Sequence, residues 1–197
     1  MSERWPEPWN TTHTLISARR HVSPKRLEAP GPDAEQLQAL FELAATAPDH
    51  GELTPWRFIV VPADKRHLMG EVFGQALLDR DASATPQEVQ DARDKAQRAP
   101  LVMLAVALLG EHAPEIPPAE RLVSLGCAIQ NILLGAHALG YGTGLTSGRA
   151  MGSPRLAELF ALGAGETPVC CINIGTVARA PKARRARPLP ERFSRTL

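Results

Sequence analysis

The stretch ATAPDHGELTPWRFIVVP, residues 45–62, holds the end of a helix, a shaped loop and a strand. Upstream of it, Asp33 opens a helix with Gln36 three residues on, the spacing of a capping box. Leu37, Leu40, Phe41 and Ala44 then follow at i, i+3, i+4 and i+7, so one apolar face runs to about Ala47. Pro48 stops the helix, because a proline ring offers no N–H and clashes with the preceding turn. Residues 56–62, WRFIVVP, read as a strand by their aromatic and β-branched content. Between them Pro48, Asp49, His50, Gly51 and Pro55 are the residues of a shaped loop, and loops at strand edges often form ligand sites. A plain helix–strand connection with Trp56 in the core is the competing reading.

Working outward, residues 11–20 read as a short helix capped by Asn10 or a neighbouring threonine, and the three prolines and glycine of 21–32 as an extended loop. Asp64 is expected to cap a helix reaching about Asp81. Thr85-Pro86-Gln87-Glu88 is a capping box with proline at the first helical position, opening a polar helix to about Arg98. LVMLAVALL, 101–109, is a fully buried strand. Pro118 to Leu139 forms a long helix closed by Gly140. That helix is apolar around most of its circumference, so it must be covered on nearly all sides, by its own domain and by a partner subunit. A Gly-rich strand or turn at 142–148, a short helix from Ser153-Pro154 to about Gly163 and the strand PVCCINIGT at 168–176 complete the chain. This order suits either a parallel α/β sheet or an α+β domain with a mixed sheet. The Pro-rich loop and the long helix favour the second.

With 197 residues, 44% hydrophobic and 22% charged, the chain is one globular domain with an appended arm. Its net charge of +1 divides unevenly: residues 179–197 carry seven basic side chains and one acid, leaving −5 for residues 1–178. Near-neutral overall charge gives no reason to expect nucleic acid. Three cysteines without framework spacing point to a reducing compartment, and adjacent Cys170 and Cys171 on a strand would face opposite sides as small buried hydrophobes. The polar, proline-broken N-terminus has no signal-type apolar stretch. The helix at 122–139 carries Gln130, Asn131 and His137 and reads as buried rather than membrane-spanning, so a soluble cytoplasmic protein is expected.

No HExxH, CxxC or paired His/Cys spacing is present, so no metal site is expected, and there is no GxxxxGK phosphate loop. The glycines at 142, 144 and 148 follow a helix instead of a strand, and Ser147 stands where a dinucleotide fingerprint needs its third glycine. Ser147, His50 and Asp49 can be assembled into a hydrolase triad on paper, but no GxSxG elbow supports it. Arg19-Arg20-His21, beside a rigid Pro-rich loop, has the donors to clamp a phosphate. A favourable charge at a helix C-terminus explains the same residues without a ligand.

Taken together, the double arginine and, about 27 residues later, AxAPDHxxxxPWRF resemble the nitroreductase family of flavin enzymes, most of all its short single-domain bacterial type. Further matches lie in order: RAP and an apolar strand at 98–109, SLGCAIQNILLGAHALGYGTGLTSG at 124–148, and IGT at 174–176. The resemblance implies an α+β fold of nitroreductase type over residues 11–178, with a mixed, mainly antiparallel sheet, flanking helices and a long central helix in a homodimer interface, followed by the basic arm 179–197. It implies FMN at that interface and NAD(P)H as co-substrate. Arg19, Arg20 and His21 would approach the FMN phosphate and ribityl chain. Thr46, Pro48 and His50 would line the flavin, and Leu145, Thr146 and Ser147 would meet it after the central helix. Gly135, Ala136, His137, Ala138, Leu139 and Gly140 match a segment associated with NAD(P)H. Hydride would pass through flavin N5 to a nitroaromatic, quinone or related acceptor, with no essential catalytic side chain.

Several positions depart from the family pattern. His21 stands where serine is usual and Thr54 where glutamine is. Close relatives carry arginine at Thr46 and Trp-Arg at Leu145-Thr146. The basic arm offers compensation, with Lys182, Arg184, Arg185 and Arg187 as candidates for a phosphate contact. A flavin-binding relative without reductase turnover, either a flavin carrier or a flavin-cleaving enzyme, is the alternative.

Overall fold

The computed structural model of the chain describes residues 4–110, 112–179 and 186–197. In chain order the regular elements are α1 (Glu7–Ala18), β1 (Leu27–Glu28), α2 (Ala34–Ala45), β2 (Trp56–Val60), α3 (Arg66–Arg80), α4 (Pro86–Asp94), β3 (Leu101–Leu108), α5 (Pro118–Ala138), β4 (Gly142–Thr146), α6 (Pro154–Leu159) and β5 (Glu166–Val177). β5 pairs with β1, β3 and β4, and β3 also pairs with β2. Every ladder is antiparallel, and an isolated parallel bridge from His21 to Thr143 supplies the mixed element. The expected α+β architecture with a mainly antiparallel sheet is therefore present.

The unbroken apolar run of β3 is explained by helices on both faces of the sheet. Its alternate residues point to two cores. Met103, Ala105 and Ala107, with Ile172 and Ile174, meet Leu40 and Ala44 of α2 and Leu125 and Ile132 of α5. Val102, Leu104 and Val106, with Cys171, meet Met69 of α3 and the buried Ala96 and Ala99. Cys170 and Cys171 fall in opposite cores as expected. Burial pushes the Cys170 thiol up to about 11 and, with Cys170 beside it, Cys171 up to about 12, so both stay protonated. Ala105 pairs with Cys170 while Val106 pairs with Pro168, leaving Val169 as the extra residue of a bulge that absorbs a proline without an N–H to donate.

Both expected capping boxes form, at Asp33–Gln36 and Thr85–Glu88. Gly140, at φ 89°, closes α5: the N–H of Tyr141 bonds the carbonyl of Ala136 at 2.9 Å and that of Gly140 the carbonyl of His137 at 3.0 Å. Other boundaries differ from the reading of the sequence. α1 starts at Glu7 rather than after Asn10 and has Pro6 as its N-cap; Pro8 sits in the first turn, where a missing N–H costs nothing. It ends at Ala18, so Arg19 and Arg20 lie beyond it on extended chain. Asp64 caps no helix: a 3-10 turn, Ala63–Lys65, precedes α3. α4 stops at Asp94 and tightens into a 3-10 turn over Lys95–Gln97. The Pro-rich loop contains β1, whose two residues pair with the end of β5. Among the described residues no helix is long and apolar enough to cross a membrane.

Candidate functional site

The loop after α2 is wired and strained. Gly51, Glu52 and Thr54 all have positive φ, at 70°, 53° and 45°, and for β-branched Thr54 this is a costly conformation. Asp49 holds it: its Oδ2 accepts the Thr54 backbone N–H, while its Oδ1 is buried without a partner among the described residues. Glu120, in the first turn of α5, sits with Oε2 2.7 Å from His50 Nδ1. Asn131 Nδ2 donates to the Leu43 carbonyl at 3.0 Å and to Thr46 Oγ1 at 3.2 Å. Thr46, Pro48 and His50 are exposed on a loop that α5 holds in place. Asp49→Ala is expected to destabilise the fold by about 1–2 kcal/mol, because Thr54 keeps its strain and loses its acceptor. Asp49→Asn, which retains a carbonyl oxygen, should recover most of the loss in a urea melt.

The second group gathers at the end of α1. Arg19 is half-buried, and Arg187 of the basic arm donates to the carbonyls of Ser17 at 3.0 Å and Arg19 at 3.4 Å. Burial first, and then the neighbouring Arg187 guanidinium, lower the Arg19 pKa from its ordinary value. Among the described residues neither guanidinium is in an ion pair with an acid, and two cations this near to one another have the donors to hold an anion. Lys182, Arg184 and Arg185, the other candidates on the arm, lie outside the described residues. Arg20 and His21 are exposed, and the chain at 21–22 runs along β4, with the Val22 N–H bonded to the Thr143 carbonyl at 2.7 Å. That close approach requires Gly144: a methyl there would collide with the Val22 carbonyl oxygen.

His21 also lines a cavity of about 430 Å³ on the α3 side of the sheet. Thr146, Ser147, Gly148 and Arg149 form another part of its wall. Asn173, buried on β5, fixes that edge by donating to the Gly144 carbonyl at 3.1 Å and to Thr146 Oγ1 at 3.0 Å. Met69, Phe73 and Leu77 of α3 supply an apolar wall, and Arg80, Lys95 and Arg98 join Arg149 in lining it.

One chain thus brings together only part of the expected set. His21, Thr146 and Ser147 line the cavity; Leu145 is exposed between Gly144 and Thr146, and Arg19 and Arg20 immediately precede His21. Thr46, Pro48 and His50 are not among the cavity-lining residues. In the segment 135–140, Gly135 and Ala136 are buried, Gly135 against Leu40 and Leu43 of α2, while Ala138, Leu139 and Gly140 are exposed and His137 is half-buried. Sequence reading missed Arg80, Lys95, Arg98 and Arg149 as a group, because they converge from separate segments. Asn173 did carry a signal, as the polar residue inside the apolar run CCINI.

Comparison with known proteins gives the same fold and places the chain within a family. A profile described as the nitroreductase family matches residues 16–176. A Haemophilus influenzae protein bearing the name "Putative NAD(P)H nitroreductase" is 33% identical over 163 residues, 83% of this chain and 86% of its own. Among solved structures, a nitroreductase-like family protein from Bacillus cereus superposes with a TM-score of 0.79 at 18% identity, covering 100% of this chain and 98% of that one. An FMN-dependent nitroreductase from Clostridium difficile gives 0.65 at 19% identity, covering 92% and 96%. The profile match and the 33% identity establish that this chain belongs to the nitroreductase family.

Proposed function

We propose that the chain is an FMN-dependent oxidoreductase that takes reducing equivalents from NAD(P)H, passes them to a nitroaromatic, quinone or related acceptor, and works as a homodimer. The observation that carries this reading is the Arg19–Arg187 pair, which stands next to the cavity-lining residue His21. FMN calls for concentrated positive charge beside a slot for a flat ring, and the residues present fit both demands. The FMN-dependent enzyme of the same fold supports the choice of cofactor.

FMN, when bound, would supply the redox chemistry, carrying two reducing equivalents from NAD(P)H to the acceptor, so that NAD(P)H, a proton and a quinone become NAD(P)+ and a hydroquinone. The side chains bind and orient. Arg19, Arg20 and His21, with Arg187, hold the phosphate and ribityl chain. Leu145, Thr146 and Ser147 border the ring, with Thr146 fixed by Asn173. Thr46, Pro48 and His50 come from the second chain, since within one chain they sit on the loop after α2, held against α5, and not in the cavity wall. The surface for that second chain is the uncovered side of α5, where Leu122 is 43% and Val123 66% exposed. His137, Ala138, Leu139 and Gly140 offer the accessible part of the NAD(P)H segment, with Gly135 and Ala136 supporting it from the core.

The purified protein should be yellow, release FMN on denaturation and lose its flavin absorbance anaerobically on addition of NADH or NADPH. A colourless protein that takes up no added FMN would refute the reading. A yellow protein that bleaches but shows no acceptor-dependent NAD(P)H oxidation would favour the carrier or flavin-cleaving alternative, which rests on Thr46 and Thr146 standing where relatives carry arginine.

A further inference from the structure

We infer that the cavity selects electron acceptors carrying a negative charge on a flat apolar body. The inference rests on the flavin oxidoreductase reading and concerns four cations that reading does not use. Arg80 ends α3, Lys95 and Arg98 follow α4, and Arg149 follows β4, yet all four line one cavity. Among the described residues no aspartate or glutamate lines it. Three other arginines of the body are neutralised by acids: Arg57 pairs with Glu166, Arg93 with Glu71 and Arg155 with Asp79. Among the described residues the four cavity cations enter no ion pair of that kind. Asp81, the acid that feels Arg80, already accepts the N–H and hydroxyl of Ser83 at 3.0 and 2.6 Å. Among the described residues Arg98 makes only a long bond, 3.4 Å, to the Asp91 carbonyl. This concentration of positive charge occurs in a body whose net charge is −5.

The cofactor does not account for it. FMN carries one phosphate, and Arg19 and Arg187, which meet the need for countercharge, are not cavity-lining residues. Its ring is neutral when oxidised and carries at most one negative charge when reduced, which one of the four cations would answer. Four further cations facing an apolar wall of Met69, Phe73 and Leu77 match a second ligand with an anionic group at one end and an aromatic body at the other. A neutral nitroaromatic or quinone would use the wall and leave the cations unanswered.

The test compares 4-nitrobenzoate with methyl 4-nitrobenzoate as acceptors for the FMN-loaded protein, with NADH as reductant. The ratio of their kcat/KM values, anion over neutral, should fall roughly tenfold in the Arg80→Gln/Lys95→Gln double variant, mainly through KM. In the unmodified protein it should fall as ionic strength rises. The flavin content of the variant should equal that of the parent. A ratio that the double substitution leaves unchanged would overturn the inference. So would loss of FMN from the variant, which would assign these cations to the cofactor, or an effect confined to NADPH against NADH, which would assign them to the reductant's phosphate. A parent protein that binds no FMN defeats the underlying reading first, and the inference with it.

Discussion

Arg19→Ala is expected to weaken FMN binding by roughly 10- to 100-fold, the loss of one charge-assisted phosphate contact worth about 1.5–3 kcal/mol. Titration of FMN fluorescence against apoprotein measures it directly. The structure adds a second, opposite expectation that separates a ligand site from a structural arginine. Arg19 is partly desolvated and repelled by Arg187, so its presence costs the apoprotein free energy. Removing it should leave the apoprotein melting temperature unchanged or slightly raised while FMN affinity collapses. Arg187→Ala should weaken FMN binding less, because this guanidinium is exposed and more fully screened. Raising the salt concentration should bring the parent protein toward the variants. Parent-like affinity in Arg19→Ala, insensitive to salt, would remove the phosphate from this end of α1.

The parts of the fold that the sequence declared were those where local rules and burial agree. The capping boxes at Asp33 and Thr85, the Gly140 helix end and the buried run of β3 each follow from residues within a few positions of one another. Misread boundaries share one cause: tertiary context decided between two acceptable local answers. Pro6 and Pro8 look like breakers until a helix is placed with Pro6 as its cap and Pro8 in its first turn. Leu27 and Glu28 look like loop until the end of β5 offers them partners. The candidate site divides the same way. Arg19 to His21 and Thr146-Ser147 are short contiguous motifs, and the fold brings His21, Thr146 and Ser147 to one cavity. Arg80, Lys95, Arg98 and Arg149 are spread along the chain, Arg149 lying 69 positions after Arg80, and share no pattern that periodicity would detect. The exposed apolar side of α5 was legible as a demand for cover, since Leu122 and Val123 sit on a helix whose other side is already buried.

Arg121→Met should cause the largest loss of stability, about 3–5 kcal/mol, or a fall in melting temperature of roughly 6–20 °C at fixed protein concentration. Arg121 lies in the opening turns of α5 and is 3% exposed, a charge that burial would forbid without full satisfaction. It is satisfied by four carbonyls: Nε donates to Ile116 at 3.0 Å, Nη1 to Leu108 at 3.1 Å, and Nη2 to His112 at 2.5 Å and Ala113 at 2.6 Å. One guanidinium therefore ties the end of β3 and the 112–116 loop to the helix. Methionine fills similar length but removes the donors of four carbonyls at once, one buried and three part-buried, which is why the cost exceeds that of an ordinary hydrogen bond. Lysine keeps the charge with fewer donors and no planar fork, so Arg121→Lys should recover only part of the loss. The damage should also reach the site at temperatures where the variant is still folded. Glu120, next to Arg121, holds His50, and a displaced helix start would release the loop that carries Thr46, Pro48 and His50. FMN affinity in Arg121→Met should then fall alongside stability, whereas in Arg19→Ala affinity falls alone. A loss below 1 kcal/mol in Arg121→Met would show that water or a shifted loop can replace the guanidinium, and the coupling to His50 would fall with it.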